Sequence, residues 1–182
     1  MQYSKDTVKA WAGDSQSRAW RADLARFKSQ GASGWGSEGF WALTVYRAQR
    51  AAMTLPPGVL TTALRSALRV VRKIVALATL INIDERAVIG PGTFIPHFGP
   101  IQINGEASIG ADCAIHQVCT IGAGSRPGAP VIEDHVFIGA HTCVLGPVRI
   151  GAGAVIGSGA VVIGDIPAGA TAVGVPAHPI AR

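Results

Sequence analysis

Isoleucine and valine recur at every sixth residue over the second half of the chain. The repeat positions are 83, 89, 95, 103, 109, 115, 121, 132, 138, 144, 150, 156 and 162, and all 13 hold Ile or Val. A six-residue period fits neither a helix of about 3.6 residues per turn nor a sheet with turns every 8–12 residues or so. It predicts a solenoid with flat faces and tight corners, in which each apolar residue stacks on its equivalent in the next coil.

The repeat is interrupted twice. Two extra residues separate Ile95 from Ile103, in the segment 96–100, and five extra residues separate Ile121 from Ile132, in the segment 124–130. Insertions in a solenoid leave the regular wall and often form its functional surface. Both segments are therefore candidate elements of a site.

The first 82 residues follow a helical pattern instead. Apolar residues spaced by three or four predict three helices, with the faces Trp20–Leu24–Phe27, Phe40–Leu43–Tyr46 and Leu60–Leu64–Leu68–Val71–Val75. We interpret the third as a core helix that caps the open end of the solenoid; the alternative is that Arg65, Arg69 and Arg72 contact lipid headgroups. The predicted domains are a helical cap over residues 1–82 and a β-helical domain with a C-terminal tail over residues 83–182.

Charge divides the chain at the same place. Residues 1–82 hold 12 Lys or Arg and 4 Asp or Glu, whereas residues 83–182 hold 4 and 7, which gives the net charge of +5. The basic half either faces an anionic ligand or surface or neutralises the acidic half beside it. The N-terminus lacks an apolar signal core, and four cations interrupt the longest apolar stretch, residues 59–83. We expect a cytoplasmic protein without a nucleic-acid partner.

Cysteines and most histidines give no metal-site signal. Cys113 and Cys119 lie one repeat apart in a slot that other repeats fill with small residues, so we predict buried, reduced thiols. No histidine pair has the spacing of zinc ligands. His116, at a non-inward position, is close in repeat register to the first interruption.

Several motifs resemble the serine acetyltransferase-like branch of the hexapeptide-repeat acyltransferases. They are Ile89-Gly-Pro-Gly, Ile95-Pro-His-Phe-Gly, Thr120-Ile-Gly, Ile138-Gly-Ala and Ala172-Val-Gly-Val-Pro-Ala, and the resemblance extends over residues 20–182. It implies a mainly β fold, a left-handed parallel β-helix with an N-terminal α-helical segment. It also implies homotrimers, with active sites between subunits and acetyl-CoA lying along the coils.

His97 matches the catalytic histidine of that family, and the resemblance implies an acetyl-CoA-dependent O-acetyltransferase that needs no metal. An alcohol is a weak nucleophile at neutral pH, and an imidazole can take its proton during attack on a thioester. The family's acidic partner of this histidine falls at Asn82, whose carbonyl orients an imidazole without supplying charge. Asp84, expected on the same strand face, is the alternative partner.

The family match also suggests how CoA binds. It implies backbone and small-side-chain contacts at Gly122, Ala140 and Ala160, with Pro176 packing against the nucleotide end. Arg126 is the candidate partner of the phosphates, and Arg149 and Arg182 are further candidates. A backbone N–H near residues 122–124 is the candidate donor to the oxyanion.

Two departures from the family concern the acceptor. Pro96 stands where the amino-acid-specific enzymes have an acidic residue, and Gly128-Ala129 stands where they have an Arg-His pair. Serine needs a carboxylate for its ammonium group and a cation for its carboxylate. The pattern therefore favours a hydroxyl on a saccharide or similar alcohol as acceptor. L-serine is the alternative, and a non-catalytic β-helical binding protein is a second alternative.

Overall fold

A computed structural model describes residues 15–180, in which three helices precede a solenoid of short strands. The helices are α1 (Gln16–Ser29), α2 (Glu38–Met53) and α3 (Val59–Thr79). The strands are β1 (Ile81–Ile83), β2 (Val88–Ile89), β3 (Ile101–Ile103), β4 (Ser108–Ile109), β5 (Ala114–Ile115), β6 (Cys119–Gly122), β7 (Val131–Ile132), β8 (Phe137–Ile138), β9 (Cys143–Leu145), β10 (Arg149–Ile150), β11 (Val155–Ile156), β12 (Val161–Val162), β13 (Thr171–Val173) and β14 (His178–Ile180). The predictions for the extreme N-terminus and for Arg182 lie outside the described residues.

Each face of the solenoid is one sheet. The first face has the order β1-β3-β6-β9-β12, the second β2-β4-β7-β10 and the third β5-β8-β11-β13-β14. The strands pair in parallel, except β14, which runs antiparallel to β13.

Strand register shows the length of each coil. Ile101 pairs with Cys119, one coil of 18 residues further on. The coil from Ile81 to Ile101 is two residues longer, and the coil from Ile121 to Val144 is five residues longer. Both predicted interruptions of the repeat are therefore confirmed, with the predicted lengths.

The solenoid core consists of the repeat positions. All 13 are at most 3% exposed, and burying one such side chain contributes about 1.5–3 kcal/mol. Coils approach so closely at some corners that only glycine fits. A Cβ on Gly90 would lie 2.6 Å from the backbone nitrogen of Ala111 in the next coil.

Helices α1 and α2 cover the first coil of the solenoid. The rings of Phe27 and Phe94 pack edge to face, with centroids 4.8 Å apart. The hydroxyl of Tyr46 donates to the carbonyl of Ala87 at 2.8 Å and accepts from the amide of Ile89 at 3.1 Å. These helices are thereby joined to the exposed end of the core.

A buried ion pair joins both helices to the same coil. Arg47 Nε donates to Asp23 Oδ2 at 2.9 Å, and neither side chain is more than 2% exposed. The other guanidinium nitrogens donate to the carbonyls of Ile89 at 2.6 Å and Gly90 at 2.7 Å. The amide of Thr93 donates to Asp23 Oδ1 at 3.0 Å. Burial raises the pKa of the Asp23 carboxyl, and Arg47 acts in the opposite direction.

The boundary between helices and strands lies close to the predicted one. Helix α3 ends at Thr79, Leu80 takes a left-handed conformation (φ 60°), and β1 begins at Ile81. The predicted boundary between residues 82 and 83 therefore falls inside β1. Helices and solenoid share one apolar core, and their division into two domains stays a prediction.

The third helix does not have the predicted environment. Leu60 is 86% exposed, Leu64 43% and Val71 41%, while Leu68 and Val75 are half-buried. The interpretation of α3 as a core helix is wrong, because α1 and α2 already cover the open end and α3 contacts only α2 and β1 extensively, through one narrow side. Within residues 15–180, no helix combines the length and apolarity needed to cross a membrane.

The thiols of Cys113 and Cys119 are buried, as predicted, and both are free. Their Sγ atoms donate to the carbonyls of Glu133 and Gly139 in the next coil. Burial raises the pKa of Cys113 to about 12 and that of Cys119 to about 11. Neither thiol ionises at neutral pH, so both act as packing residues.

Candidate active site

The first interruption of the repeat forms the corner that leads from the third face to the first. Its backbone is fixed by two hydrogen bonds, from the amide of Gly99 to the carbonyl of Thr79 at 3.1 Å and from the amide of Ile101 to the carbonyl of Leu80 at 3.0 Å. His97 lies on this corner with its side chain exposed. Because the extra residues leave the wall here, the imidazole is accessible to a substrate.

A second histidine lies next to the first. The rings of His97 and His116 pack edge to face with centroids 5.9 Å apart, and His116 also contacts Phe137 at 4.8 Å. Burial, and then the neighbouring His97, lowers the pKa of His116. His116 is therefore neutral at neutral pH. It was not among the predicted site residues, although its place directly after Ile115 matches that of Pro96 after Ile95.

Gln117 lies beneath the same corner. A Cβ on Gly99 would lie 3.1 Å from Gln117 Cβ, so this glycine allows close contact between the two coils. Gln117 Oε1 is buried without a hydrogen-bond partner among the described residues. An unsatisfied buried acceptor costs about 1–3 kcal/mol, so the site contains an acceptor that the folded chain does not use.

Neither predicted partner of His97 is hydrogen-bonded to it in the described part of the chain. Asn82 lies on the first face and donates from Nδ2 to Gln102 Oε1 at 3.0 Å. Asp84 accepts from Nε and Nη2 of Arg86, both at 3.0 Å, and Arg86 lowers the pKa of the Asp84 carboxyl.

The placement of Asp84 differs from the expectation for a strand. The prediction that it shares a face with Asn82 assumed that the strand continues, but β1 ends at Ile83. Asp84 belongs to the corner between the first and second faces, whereas His97 belongs to the corner between the third and first faces. The structure thus separates the two residues by the width of the first face.

A groove of about 470 Å3 runs between α3 and β1. It is lined by Arg72, Lys73, Ala76, Leu77 and Asn82. Its two cations come from α3. The sequence pattern named Arg72 only as an alternative lipid contact and did not single out Lys73. Arg72 is partly neutralised by Glu85 at 3.2 Å. The groove therefore offers cationic donors and the Asn82 amide close to residues 79–80, to which the His97 corner is hydrogen-bonded.

The second interruption lies at the opposite edge of the first face, at the corner that leads to the second face. Arg126 lies on this loop, is exposed and donates from Nη2 to the carbonyl of Ile163 at 2.8 Å. Gly122 lies at the loop's start, where its carbonyl accepts from the amide of Gly146 at 2.9 Å. A single chain therefore does not bring this loop to His97.

The remaining CoA candidates differ in accessibility. Ala140 is half-buried at a corner and Pro176 is exposed in the tail. Ala160 is fully buried, and its carbonyl accepts from the amide of Cys143 at 2.9 Å, so its side chain offers CoA no contact. The guanidinium of Arg149 is paired with Glu133, and its backbone amide donates to Asp165 Oδ1 at 2.7 Å. The roles of these residues in CoA binding stay predictions.

Comparisons with known proteins agree with the fold. The family model "Bacterial transferase hexapeptide (six repeats)" matches residues 129–164. The structure of soybean serine acetyltransferase complexed with serine superposes with a TM-score of 0.76 at 30% identity, covering 94% of this chain and 72% of that one. A structure of serine acetyltransferase in complex with CoA superposes with a TM-score of 0.72 at 26% identity, covering 97% and 71%. The predicted left-handed parallel β-helix with an N-terminal helical segment is confirmed.

The curated relatives overturn the preference for a saccharide acceptor. Serine acetyltransferase from Mycobacterium tuberculosis is 38% identical over 109 residues, which cover 58% of this chain and 48% of that protein. The chain thus spans about half the length of the curated relatives it matches. Departures at Pro96 and residues 128–129 had suggested a non-amino-acid acceptor, but those positions are only part of the possible contacts. The chain belongs to the serine acetyltransferase-like branch of the hexapeptide-repeat acyltransferases.

Proposed function

We propose that this chain transfers an acetyl group from acetyl-CoA to the hydroxyl of L-serine. The observation that carries the proposal is the similarity to soybean serine acetyltransferase complexed with serine, over 94% of this chain at 30% identity. The accessible imidazole of His97 supports it, because the reaction requires a base beside the attacking hydroxyl. The groove beside that corner supports an acceptor that bears a carboxylate.

In this proposal His97 is the general base. It takes the proton of the serine hydroxyl while the oxygen attacks the thioester carbonyl, so that a C–O bond forms and the C–S bond breaks. The imidazolium then returns the proton to the departing thiolate of CoA. No covalent enzyme intermediate is needed. His116, neutral and packed against the His97 ring, is a positioning residue that restricts the orientation of the base.

The groove between α3 and β1 is the proposed serine site. Lys73 and Arg72 are the partners of the serine carboxylate. These two cations take the place of the one that the family motif would supply at residues 128–129. Asn82 already uses Nδ2 for Gln102, which leaves Oδ1 to accept from the serine ammonium group. The acceptor site thus takes its charge from the third helix.

The proposed binding of CoA involves more than one copy of the chain. Arg126, Gly122, Ala140 and Pro176 remain the proposed contacts, with no role proposed for the Ala160 side chain. Because the Arg126 loop and the His97 corner lie at opposite edges of the first face, a site that uses both requires a neighbouring subunit. A homotrimer with its sites between subunits meets this requirement.

Acceptor choice tests the proposed function directly. We expect thiol release from acetyl-CoA to be fastest with L-serine and slower by about ten- to a hundredfold with 2-aminoethanol, which lacks the carboxylate and one or more charge-assisted hydrogen bonds. Lys73→Met should raise the KM for serine by a similar factor without changing the KM for acetyl-CoA. The matched control is Lys28→Met, on the exposed side of α1. Equal rates with both acceptors, or no turnover of serine, would contradict the proposal.

The role of His116 has its own test. His116→Ala removes the ring that packs on His97, and we expect kcat to fall about tenfold or more because misplacement of a base is costly. His116→Phe keeps a ring of similar size against Phe137 and should recover most of that loss. The KM values should change little in either variant. Full activity of the alanine variant, or no recovery with phenylalanine, would show that ring packing does not position the base.

A further inference from the structure

Helix α3 carries a continuous apolar stripe that the described chain does not cover. We define the α3 stripe as Val59, Leu60, Leu64, Val70, Val71, Ile74 and Leu77, which are 41–87% exposed. From Val59 to Leu77 the helix extends by about 27 Å. Monomers rarely leave so long an apolar row in water, so a surface of this kind indicates an interaction site.

Two exposed tryptophans extend this surface. Trp35 is 62% exposed and Trp41 40%, and both line a groove of about 400 Å3 together with Val75 of α3. The indole Nε1 of Trp41 donates to the carbonyl of Trp35 at 2.7 Å, which fixes the pair beside the helix. Tryptophan is enriched where a protein meets the headgroup region of a bilayer.

The charge around the stripe is mainly basic. Residues 39–83 contain six Lys or Arg and no Asp or Glu, although Arg47 is buried with Asp23, and Glu85 lies 3.8 Å from Arg69 and 3.2 Å from Arg72. Arg69 and Lys73 follow one another by four residues on the flank of the stripe and are exposed. A helix with an apolar face, a basic flank and nearby tryptophan is suited to lie in the plane of an anionic membrane surface.

We propose that the α3 stripe, with Trp35 and Trp41, docks this protein on an anionic lipid bilayer. The charge argues against a second copy of the same surface, because a two-fold contact would bring together two surfaces on which Arg69, Arg72 and Lys73 outnumber the carboxylate of Glu85. Of the large exposed apolar residues of the described solenoid, Phe98, Phe137 and Ile163 lie on separate coils, and Val173, Val175 and Ile180 lie in the C-terminal strand pair β13–β14 and its turn. They form no row that matches the length of the stripe.

Sedimentation of the full chain with vesicles tests this inference. We expect the chain to bind vesicles that contain phosphatidylglycerol and phosphatidylcholine, to bind phosphatidylcholine alone much more weakly, and to be released by salt. Val70→Glu/Ile74→Glu, in the middle of the stripe, should weaken the binding by at least about tenfold. The matched control is Ile180→Glu, at an isoleucine of β14 that is 49% exposed, which should bind like the wild type.

Two results would overturn the inference. One is a wild type that does not sediment with anionic vesicles, and the other is a double variant that sediments as well as the wild type. Light scattering of the same proteins measures their molecular mass in solution. If the wild type did not bind vesicles and the double variant had a lower mass than the wild type, the stripe would be assigned to a contact between copies of the chain. Acetyl transfer measured without vesicles should be the same in all three proteins, which separates this test from that of the proposed function.

Discussion

Substitution of His97 by alanine should lower kcat/KM for acetyl transfer by about a hundred- to ten-thousandfold. The imidazole is exposed on the corner between the third and first faces, and neither Asn82 nor Asp84 is placed to replace it as a base. The change lies outside the buried core, so the thermal unfolding transition should stay near that of the wild type. Thiol release from acetyl-CoA with L-serine measures the activity.

A matched histidine separates catalysis from a general effect. His135 lies at another corner, with φ 60° and 4.0 Å from Asp112. His135→Asn is the suitable control because asparagine tolerates the left-handed conformation. We expect this variant to keep near wild-type activity, and both variants to bind CoA. If His97→Ala retained wild-type turnover, the assignment of the general base would be wrong.

Removal of the buried cation at Arg47 should have the largest effect on stability. Arg47→Ala leaves the Asp23 carboxyl in the core without its partner and removes the donors to the carbonyls of Ile89 and Gly90. Breaking a buried ion pair of this kind costs about 3–5 kcal/mol. Urea unfolding followed by circular dichroism, at one fixed chain concentration, measures the free energy of unfolding. Arg21→Ala, on the exposed side of α1, should change it by no more than about 0.5 kcal/mol.

The same pair gives a pH dependence of known sign. Burial raises the pKa of Asp23 above its ordinary value of 3.8, so the folded state binds this proton more tightly than the unfolded state. Stability from this group is therefore present below pH 3.8 and is lost as the pH rises through the raised pKa. This loss of unfolding free energy with rising pH should be greater in Arg47→Ala, because that variant lacks the charge that opposes the rise in the pKa of Asp23. The difference in stability between Arg47→Ala and the wild type should therefore become smaller as the pH is lowered.

A double variant distinguishes the ion pair from two independent contributions. Asp23→Leu/Arg47→Leu replaces both charges by apolar side chains, and we expect it to be more stable than either single leucine variant, because no lone charge remains buried. Additive losses would show that the two side chains stabilise the fold independently rather than as an ion pair.

The sequence predicted the site in part. The insertion that carries His97 is visible as two extra residues in a strict repeat, so the repeat alone is enough to locate the corner. The neighbouring His116 was not assigned, because proximity between corners depends on how one coil stacks on the next. Asp84 was misplaced for a related reason: alternation along a strand holds only while the strand continues, and β1 ends at Ile83.

The helical part shows the same limit more clearly. The spacing of Leu60, Leu64 and Val71 predicted an amphipathic helix, and α3 is one. The pattern could not say what covers the apolar face, because an apolar stripe looks the same whether it meets a protein core or another partner. The sequence did not place Arg72 and Lys73 beside Asn82 for the same reason, since only the packing of α3 against β1 brings them there.

The repeat pattern is sufficient to define the period, the faces and the interior of the solenoid. Each repeat makes its contacts with the next coil only, so the local pattern is enough to decide that all 13 Ile and Val positions point inward. The tertiary structure decided which residues meet at the site and which surface stays open. Those outcomes depend on residues distant in the sequence, such as Arg47 with Gly90 or His97 with His116, whose proximity no local pattern encodes.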